Sequence, residues 1–230
     1  MAGETIKTEA ICLDIRPWSR TSHVVSWLTP TGKVSTVVKG AVRAKSQFLG
    51  QYDLNYTCDI LYYARAKGEL HALRECAPLE LREELRGDYR NLALAGYFRR
   101  LVAELVPQGE ECRQWYALLR RRLDGIRPKT EDLVRFELEV LELSGLKPDF
   151  SKFDGNADWS AFSVETGAFG VCEGRCIRVS REVAEYLAGG AQNAKKSQTP
   201  LDAARVIGVF YQFHLDCASD VRRTVLGMIS

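Results

Sequence analysis

Basic side chains near the N-terminus are the residues of this sequence whose types and spacing could do chemistry. Lys39, Arg43 and Lys45 follow a β-branched run, and Gly40 and small alanines separate them. Residues 15–52 include no Asp or Glu, whereas these basic residues lie there: Arg16, Arg20, Lys33, Lys39, Arg43 and Lys45. The whole chain has a net charge of only +2, so any affinity for anions must be local. Basic side chains without acidic neighbours attract phosphates, and the stretch therefore predicts a phosphate-binding surface.

The elements expected to position this surface are five runs rich in β-formers, at residues 5–15, 23–29, 33–39, 52–63 and 70–76. Short strands of this kind are expected to close into a barrel, because closure leaves no unpaired edge. Five strands are usual for the oligonucleotide-binding (OB) fold, and a small SH3-like barrel is the alternative that the number does not exclude. The hydrophobic period becomes helical after residue 79. We therefore predict an α+β chain, with a five-stranded OB-fold β-barrel over residues 1–79 as the nucleic-acid-binding domain and an α-helical domain over residues 80–230.

Apolar residues at helical spacing predict helices at residues 81–106, 111–126, 134–144, 180–187, 201–217 and 221–228. The first three are expected to pack as a bundle. Thr130 is predicted to be an N-cap, and Gly145 a C-cap, of the third helix. Frequent glycines in residues 147–178 indicate a glycine-rich, loop-rich insert, with a hairpin around residues 162–169.

Catalytic patterns are missing from the sequence. His23, His71 and His214 fall in separate predicted elements. No P-loop, nucleophile elbow, His-Glu-x-x-His or Gly-x-Gly-x-x-Gly pattern occurs. The sequence therefore predicts a binding protein that is not an enzyme and needs no cofactor.

Cysteine usage indicates a reducing compartment. The seven cysteines lie far apart, at Cys12, Cys58, Cys76, Cys112, Cys172, Cys176 and Cys217. Their odd number, together with a polar N-terminus that carries no apolar signal core, favours reduced thiols in the cytoplasm. Since no run of about 18 apolar residues occurs, we expect no membrane span.

Aromatic and basic side chains elsewhere could add to a nucleic-acid surface. Trp18 follows Pro17 in a predicted loop and is the best candidate for stacking on a base. Trp27 lies in an alternating strand, which favours the barrel core, and Phe48 and Tyr52 are further candidates for stacking. The basic run at residues 120–122 is on a predicted helix, where successive side chains point about 100° apart and cannot form one cluster.

Several motifs in the first 100 residues resemble one family in order and spacing. They are Thr8-Glu9-Ala10-Ile11-Cys12-Leu13, Arg16-Pro17-Trp18-Ser19, residues 22–28, Gly32-Lys33, Val38-Lys39-Gly40-Ala41-Val42-Arg43-Ala44-Lys45-Ser46 and Glu69-Leu70-His71-Ala72-Leu73-Arg74-Glu75. The chain resembles the RecO family of bacterial recombination-mediator proteins. Beyond these motifs the resemblance is one of pattern: helices, a glycine-rich insert and a C-terminal helix.

The resemblance implies an OB-fold protein that binds single- and double-stranded DNA, anneals complementary strands and has no enzymatic activity. It also implies work in DNA repair with RecR, and often RecF, to load RecA onto strands coated by single-strand-binding protein. The acidic tail of single-strand-binding protein would need an apolar groove with a flanking cation. Together, charge and resemblance assign DNA contacts to Lys39, Arg43, Lys45, Lys33, Arg16, Arg20 and Trp18. The alternative is an OB-barrel scaffold, or a module that binds RNA or protein without annealing.

The insert departs from the family in its metal ligands. Many members carry two Cys-x-x-Cys pairs there as a zinc site, whereas this chain has only Cys172 and Cys176, with one residue too many between them. Residues 148–158 include no Cys or His. Two thiolates do not complete a tetrahedral zinc site, although His214 and Cys217 could in principle add two ligands. The sequence therefore predicts a degenerate loop without metal.

Overall fold

The computed structural model describes residues 4–65, 70–106, 112–153, 157–170, 174–192, 194, 196–215 and 219–230. The chain divides into two compact units, Met1–Ile126 and Arg127–Ser230. In the described parts of the chain, no helix is long and apolar enough to cross a membrane.

A closed five-stranded barrel forms the start of the first unit. Its strands are β1 (Thr5–Ser19), β2 (Ser22–Thr29), β3 (Gly32–Val38), β4 (Thr57–Tyr63) and β5 (Leu70–Glu80). They are paired in the order β1-β2-β3-β5-β4, with β4 returning to β1. An up-and-down meander would pair β3 with β4, but β5 lies between them and runs parallel to β3. This order confirms the predicted OB-fold barrel. It also decides between that fold and the SH3-like barrel, which the number of strands did not exclude.

The alternation of buried and exposed side chains along the strands defines the barrel core. The buried inward positions include Ala10, Cys12, Val25, Trp27, Val38, Cys58, Ile60, Tyr62 and Leu73. The fourth strand was predicted to begin at residue 52 but begins at Thr57, because residues 53–56 form a turn. Tyr56 N–H donates to Asp53 O at 3.1 Å, and Asn55 has a φ of 68°, which is not a strand conformation.

Two helices complete the first unit, α1 (Tyr89–Leu105) and α2 (Arg113–Asp124). The prediction of one helix over residues 81–106 is wrong at its start. Arg82 has a left-handed backbone with φ 50° and a short 3₁₀ helix, Glu83–Gly87, follows it. The side chain of Asp88 then accepts from Arg90 N–H and caps α1.

Helix α2 is fastened to the barrel by polar contacts. Tyr116 Oη donates to Glu9 Oε2 at 3.1 Å. Arg120 pairs with Glu9 at 3.0 Å and with Glu80 at 2.5 Å. These contacts explain why α2 groups with the strands. The predicted domain boundary after residue 79 coincides with the change from strand to helix and stays a prediction.

The second unit contains α3 (Thr130–Leu143), β6 (Trp159–Ser163), β7 (Cys176–Ser180), α4 (Arg181–Ala188), α5 (Thr199–His214) and α6 (Ser219–Ile229). Helix α3 packs on α5 and α6. The predicted bundle of the first three helices is therefore wrong, because α1 and α2 belong to the unit of the barrel. Thr130 is the first residue of α3 rather than its cap, and Gly145, with φ 69°, follows the helix end as predicted.

The glycine-rich insert has a small sheet of its own. Strand β6 pairs with β7 in antiparallel fashion. The predicted hairpin around residues 162–169 is present as a short turn, in which Phe162 and Phe169 form an antiparallel bridge and Ser163 N–H donates to Ala168 O at 2.9 Å. Phe150 stacks on Phe162 with ring centroids 5.3 Å apart, and Phe162 lies 6.2 Å from Phe210 of α5. These aromatic contacts anchor the insert to the second unit.

Candidate nucleic-acid interface

The loop after β3 is held against the turn between β1 and β2. Gly40 N–H donates to Ser22 Oγ at 3.3 Å, and Val42 N–H donates to Thr21 O at 3.4 Å. Gly40 has a φ of 67°, and a Cβ there would lie 3.2 Å from Arg43 Cδ. Glycine is therefore favoured both by its left-handed backbone and by the Arg43 side chain that crosses it. The space beside Gly40 is therefore occupied by Arg43.

The first cleft lies at this edge of the barrel and brings together three of the predicted DNA contacts. Trp18, Lys39 and Arg43 line it, with Ser19 and Ser22 between them, around a volume of about 410 Å³. Trp18 is 62% exposed. Lys39 and Arg43 are exposed as well, and in the described residues neither takes part in an ion pair. An aromatic face beside two available cations suits a base and its phosphates.

Arg20 and Lys45 are exposed but do not line the first cleft. Arg20 lies in the turn between β1 and β2, two residues after Trp18. Lys45 lies two residues beyond Arg43 in the loop. They surround the cleft with positive charge, which acts over about 10 Å at ordinary ionic strength.

Arg16 and Lys33 lie elsewhere, in the second cleft, between the outer face of β1–β3 and helix α1. This cleft has a volume of about 670 Å³. Arg16 Nε pairs with Asp14 at 2.5 Å, so folding supplies an acidic neighbour from just outside the acid-free stretch. Lys33 Nζ donates to Ala103 O at 2.8 Å, and burial lowers the pKa of Lys33.

The aromatic candidates divide by burial. Trp27 is buried and donates from Nε1 to Thr36 Oγ1 at 2.9 Å, which confirms its place in the core. Phe48 is also buried, and Tyr52 packs edge-on against Trp27 while its hydroxyl contacts His23 Nδ1 at 2.9 Å. Burial raises the pKa of Tyr52. Of the four candidates, Trp18 alone offers an exposed ring.

Sequence reasoning missed two basic residues of the second cleft, Arg99 and Arg100 of α1. The apolar periodicity of this helix drew attention to its buried face, and no linear signal joins residue 99 to residue 33. Arg120, by contrast, is engaged with Glu9 and Glu80, so its charge fastens α2 to the barrel.

The candidate metal ligands are the cysteines of the insert and, outside it, His214 of α5 and Cys217. No cluster of three or more metal-ligating side chains occurs among the described residues. The prediction of reduced thiols is wrong for Cys176, which is disulfide-bonded. Among the described residues, Cys12, Cys58, Cys76 and Cys112 are thiols outside any disulfide. His214 Nε2 contacts Val164 O at 2.8 Å, and the other predicted candidates, Cys172 and Cys217, lie outside the described residues.

Fold and site together define an OB-fold protein with a basic, partly aromatic barrel edge and a helical second unit. Residues 1–82 match the family model described as "Recombination protein O N terminal", and residues 86–217 match "Recombination protein O C terminal". The matches cover nearly the whole sequence. The chain belongs to the RecO family, as the sequence motifs predicted.

Curated relatives carry the name "DNA repair protein RecO". The protein of Alkaliphilus metalliredigens is 33% identical over 149 residues, which cover 62% of this chain and 59% of the relative. That of Roseiflexus sp. is 28% identical over 151 residues, covering 64% and 53%. That of Moorella thermoacetica is 29% identical over 145 residues, covering 62% and 54%. The chain thus matches between half and three fifths of the length of these relatives.

Proposed function

We propose that this chain acts in DNA repair by binding single- and double-stranded DNA and annealing complementary strands. The observation that carries the proposal is the first cleft, where Lys39 and Arg43 stand exposed beside Trp18. Family membership supports it, because the relatives are named as DNA repair proteins.

Charge and stacking in the first cleft suit a strand of any sequence. Lys39 and Arg43 contact phosphates, which carry no sequence information. Trp18 offers a flat ring on which any base can stack. Two strands whose phosphates are neutralised on one basic edge repel each other less, and base pairing then drives annealing without nucleotide hydrolysis. Binding is therefore expected to depend on salt and hardly on sequence.

Replacing both cations of the first cleft, Lys39→Gln with Arg43→Gln, tests the proposal. Binding of a fluorescent oligothymidylate is measured by polarisation across a salt series. The double variant is expected to bind about tenfold more weakly at low salt. The slope of log K against log salt should fall by about 1.4, since each phosphate contact on a single strand contributes about 0.7.

Arg74→Gln is the matched control, because Arg74 is exposed on β5 and lines neither cleft. It should leave the affinity and the salt slope unchanged, and annealing of complementary oligonucleotides should fall only with the double variant. A wild-type protein with no salt-dependent DNA binding would contradict the proposal. That result would favour the alternative, a barrel that serves as a scaffold or binds RNA or protein.

The finer proposal is that the chain promotes RecA loading with RecR, and with RecF, on strands coated by single-strand-binding protein. The second unit offers a groove for the acidic tail of that protein. Its lining includes the apolar side chains of Ile177, Val206 and Val209 and the cation Arg178, around a volume of about 330 Å³. Arg205 and Asp202 line it as well and pair with each other at 2.8 Å, so Arg178, which stacks at 3.8 Å over the Trp159 ring, is the cation proposed to flank the tail.

Val209→Glu tests this groove, since it places a carboxylate where an acidic peptide with an apolar end would bind. Polarisation of a labelled peptide of that kind should show at least tenfold weaker binding than the wild type. Thr224→Glu adds the same charge on the exposed face of α6 and should have no effect. Equal affinity for the wild type and Val209→Glu would exclude this groove as the tail site.

A further inference from the structure

We infer that the second cleft is a separate phosphate site, in which Lys33 and Arg99 hold a phosphate group of a bound strand. The site deepens the proposed DNA binding and rests on it for the origin of the phosphate. The two clefts are formed by different parts of the barrel unit: helix α1 forms one wall of the second cleft, whereas the loop after β3 lines the first.

Lys33 and Arg99 enter the cleft from opposite walls. Lys33 extends from β3 and donates to Ala103 O on the helix, at 2.8 Å. Arg99 extends from the helix and donates from Nη1 to Leu13 O on β1. Each cation therefore uses a neutral carbonyl, and not a carboxylate, as its hydrogen-bond acceptor. Arg99 Nε is buried and has no hydrogen-bond partner.

The acidic residues of the cleft are committed to other cations. Asp14 pairs with Arg16 at 2.5 Å, and Glu104 pairs with Arg100 at 2.8 Å. The lining therefore holds four cations against two carboxylates. Among the described residues, neither Lys33 nor Arg99 takes part in an ion pair, so the excess positive charge is carried by these two.

Partial burial makes the positive charges of Lys33 and Arg99 costly. Burial lowers the pKa of Lys33 and of Arg99, which means that the surroundings disfavour both positive charges. An anion between them would restore the balance. A guanidinium fork and an ammonium group suit the oxygens of a phosphate, and charge-assisted hydrogen bonds of this kind are the strong ones.

Two further features favour phosphate on a strand as the ligand. The hydroxyl-bearing residues Ser26 and Ser35 are cross-strand partners and both line the cleft. Ser35 and Val37 lie two residues apart on β3, on one face, and line the second and the first cleft respectively. Lys33 and Lys39 are thus roughly 20 Å apart along one strand direction, a distance that a short oligonucleotide can follow.

The test measures inorganic pyrophosphate and oligothymidylate on the same variants. Pyrophosphate is expected to raise the melting temperature of the wild type, of the Lys39→Gln/Arg43→Gln variant and of the control Arg74→Gln. The rise should be much smaller for Lys33→Gln/Arg99→Gln, in which only the first cleft remains to bind pyrophosphate. Because those substitutions also remove contacts between α1 and the strands, Ser35→Glu provides a second variant, which adds a carboxylate to the cleft and should reduce the rise by as much.

For oligothymidylate, Lys33→Gln/Arg99→Gln should lower the salt slope by about 1.4, as expected for two lost single-strand contacts. A full pyrophosphate effect in Ser35→Glu, or none in the wild type, would overturn the site. Weaker pyrophosphate binding in Ser35→Glu with unchanged oligothymidylate affinity would overturn the strand as the source and leave a site for free phosphate compounds. Failure of the wild type to bind DNA while pyrophosphate still binds would overturn the proposed function and not the site.

Discussion

Replacing Arg222 by Met is expected to lower the free energy of unfolding of the second unit by about 3–5 kcal/mol, the usual cost of leaving a buried charge without its partner. Glu137 of α3 is fully buried. Arg222 of α6 holds both of its carboxylate oxygens, from Nε at 2.7 Å and from Nη2 at 2.8 Å. The same Nη2 donates to Ala204 O of α5 at 2.7 Å. One guanidinium therefore joins three helices, and urea unfolding followed by circular dichroism measures its loss.

Gly208 of α5 provides an internal check on this arrangement. A Cβ there would lie 2.9 Å from Arg222 Cζ, so Gly208→Ala must displace the guanidinium from Glu137. In the wild type this change is expected to be destabilising, although alanine normally favours a helix over glycine by about 1 kcal/mol. In the Arg222→Met background the obstruction is gone, and the same change should cost much less. Equal costs in the two backgrounds would contradict the arrangement.

Replacing Glu137 together with Arg222 by Met separates the charge effect from the packing effect. If the cost of Arg222→Met comes from the stranded carboxylate, the double variant should recover most of the lost stability, because apolar pairs often replace buried ion pairs without loss. A double variant that is less stable than Arg222→Met would show that packing dominates.

Replacing Arg82 by Met should lower the free energy of unfolding of the first unit by about 2–4 kcal/mol, since buried acceptors lose a charged donor. The side chain of Arg82 is 2% exposed. It donates to Asn55 O at 2.5 Å, to Thr57 Oγ1 at 2.9 Å, and to Glu80 and Asp124 at 2.7 Å each. It therefore ties β4, β5 and the end of α2 together.

Arg86→Met is the matched control for Arg82→Met. Arg86 also pairs with an aspartate, Asp53, at 2.7 Å, but both side chains are at least half exposed. Exposed pairs contribute about 0–1 kcal/mol, so this variant should be nearly as stable as the wild type. Comparable losses in the two variants, measured by urea unfolding, would show that burial of Arg82 is not what matters.

The Arg82 network also predicts how the first unit responds to acid. Burial by itself would raise the pKa of Glu80, but hydrogen bonds from Arg120 and Thr57 and the charges of Arg82 and Arg120 outweigh it, and the pKa is lowered. A carboxylate with a lowered pKa stabilises the fold above its unfolded value, near 4.3. That stabilisation is lost as the pH falls through the folded pKa, so stability should decline less below pH about 4 in Glu80→Gln than in the wild type.

Local patterns predicted most of the barrel. Alternation placed Trp27 in the core, and the second and third strands were expected at nearly their observed positions, because residues of a strand point to fixed sides of the sheet. Strand β1 runs four residues beyond its predicted end, so Trp18 lies in a strand and the prediction of a loop there is wrong. The fourth strand was extended too far at its start, because apolar and polar residues alternate through this stretch even though Asp53 and Asn55 are common turn residues. The helices of the first unit were found, but the left-handed Arg82 could not be foreseen, because its side-chain partners come from Asn55, Thr57, Glu80 and Asp124.

The basic stretch was visible in the sequence, but its division into two clefts was not. Lys39 and Arg43 are close in sequence and share the first cleft with Trp18, which the turn between β1 and β2 brings alongside. Lys33 was grouped with them by composition, yet it lies in the second cleft beside Arg99. Lys33 and Arg99 are far apart in the sequence and lie on different elements, so no periodic pattern could have predicted that they lie in the same cleft.

The sequence by itself determined the barrel, the family and the sign of the charge on the barrel edge, because these depend on alternation, linear motifs and residue types. Only the tertiary structure decided which cations can receive a phosphate. Among the described residues Lys39 and Arg43 take part in no ion pair, whereas Lys33 donates to the carbonyl of Ala103 and Arg99 donates to that of Leu13, both far away in the sequence. The reason is physical: a charge is available or engaged according to its nearest neighbours in space, and folding chooses those neighbours from distant parts of the chain.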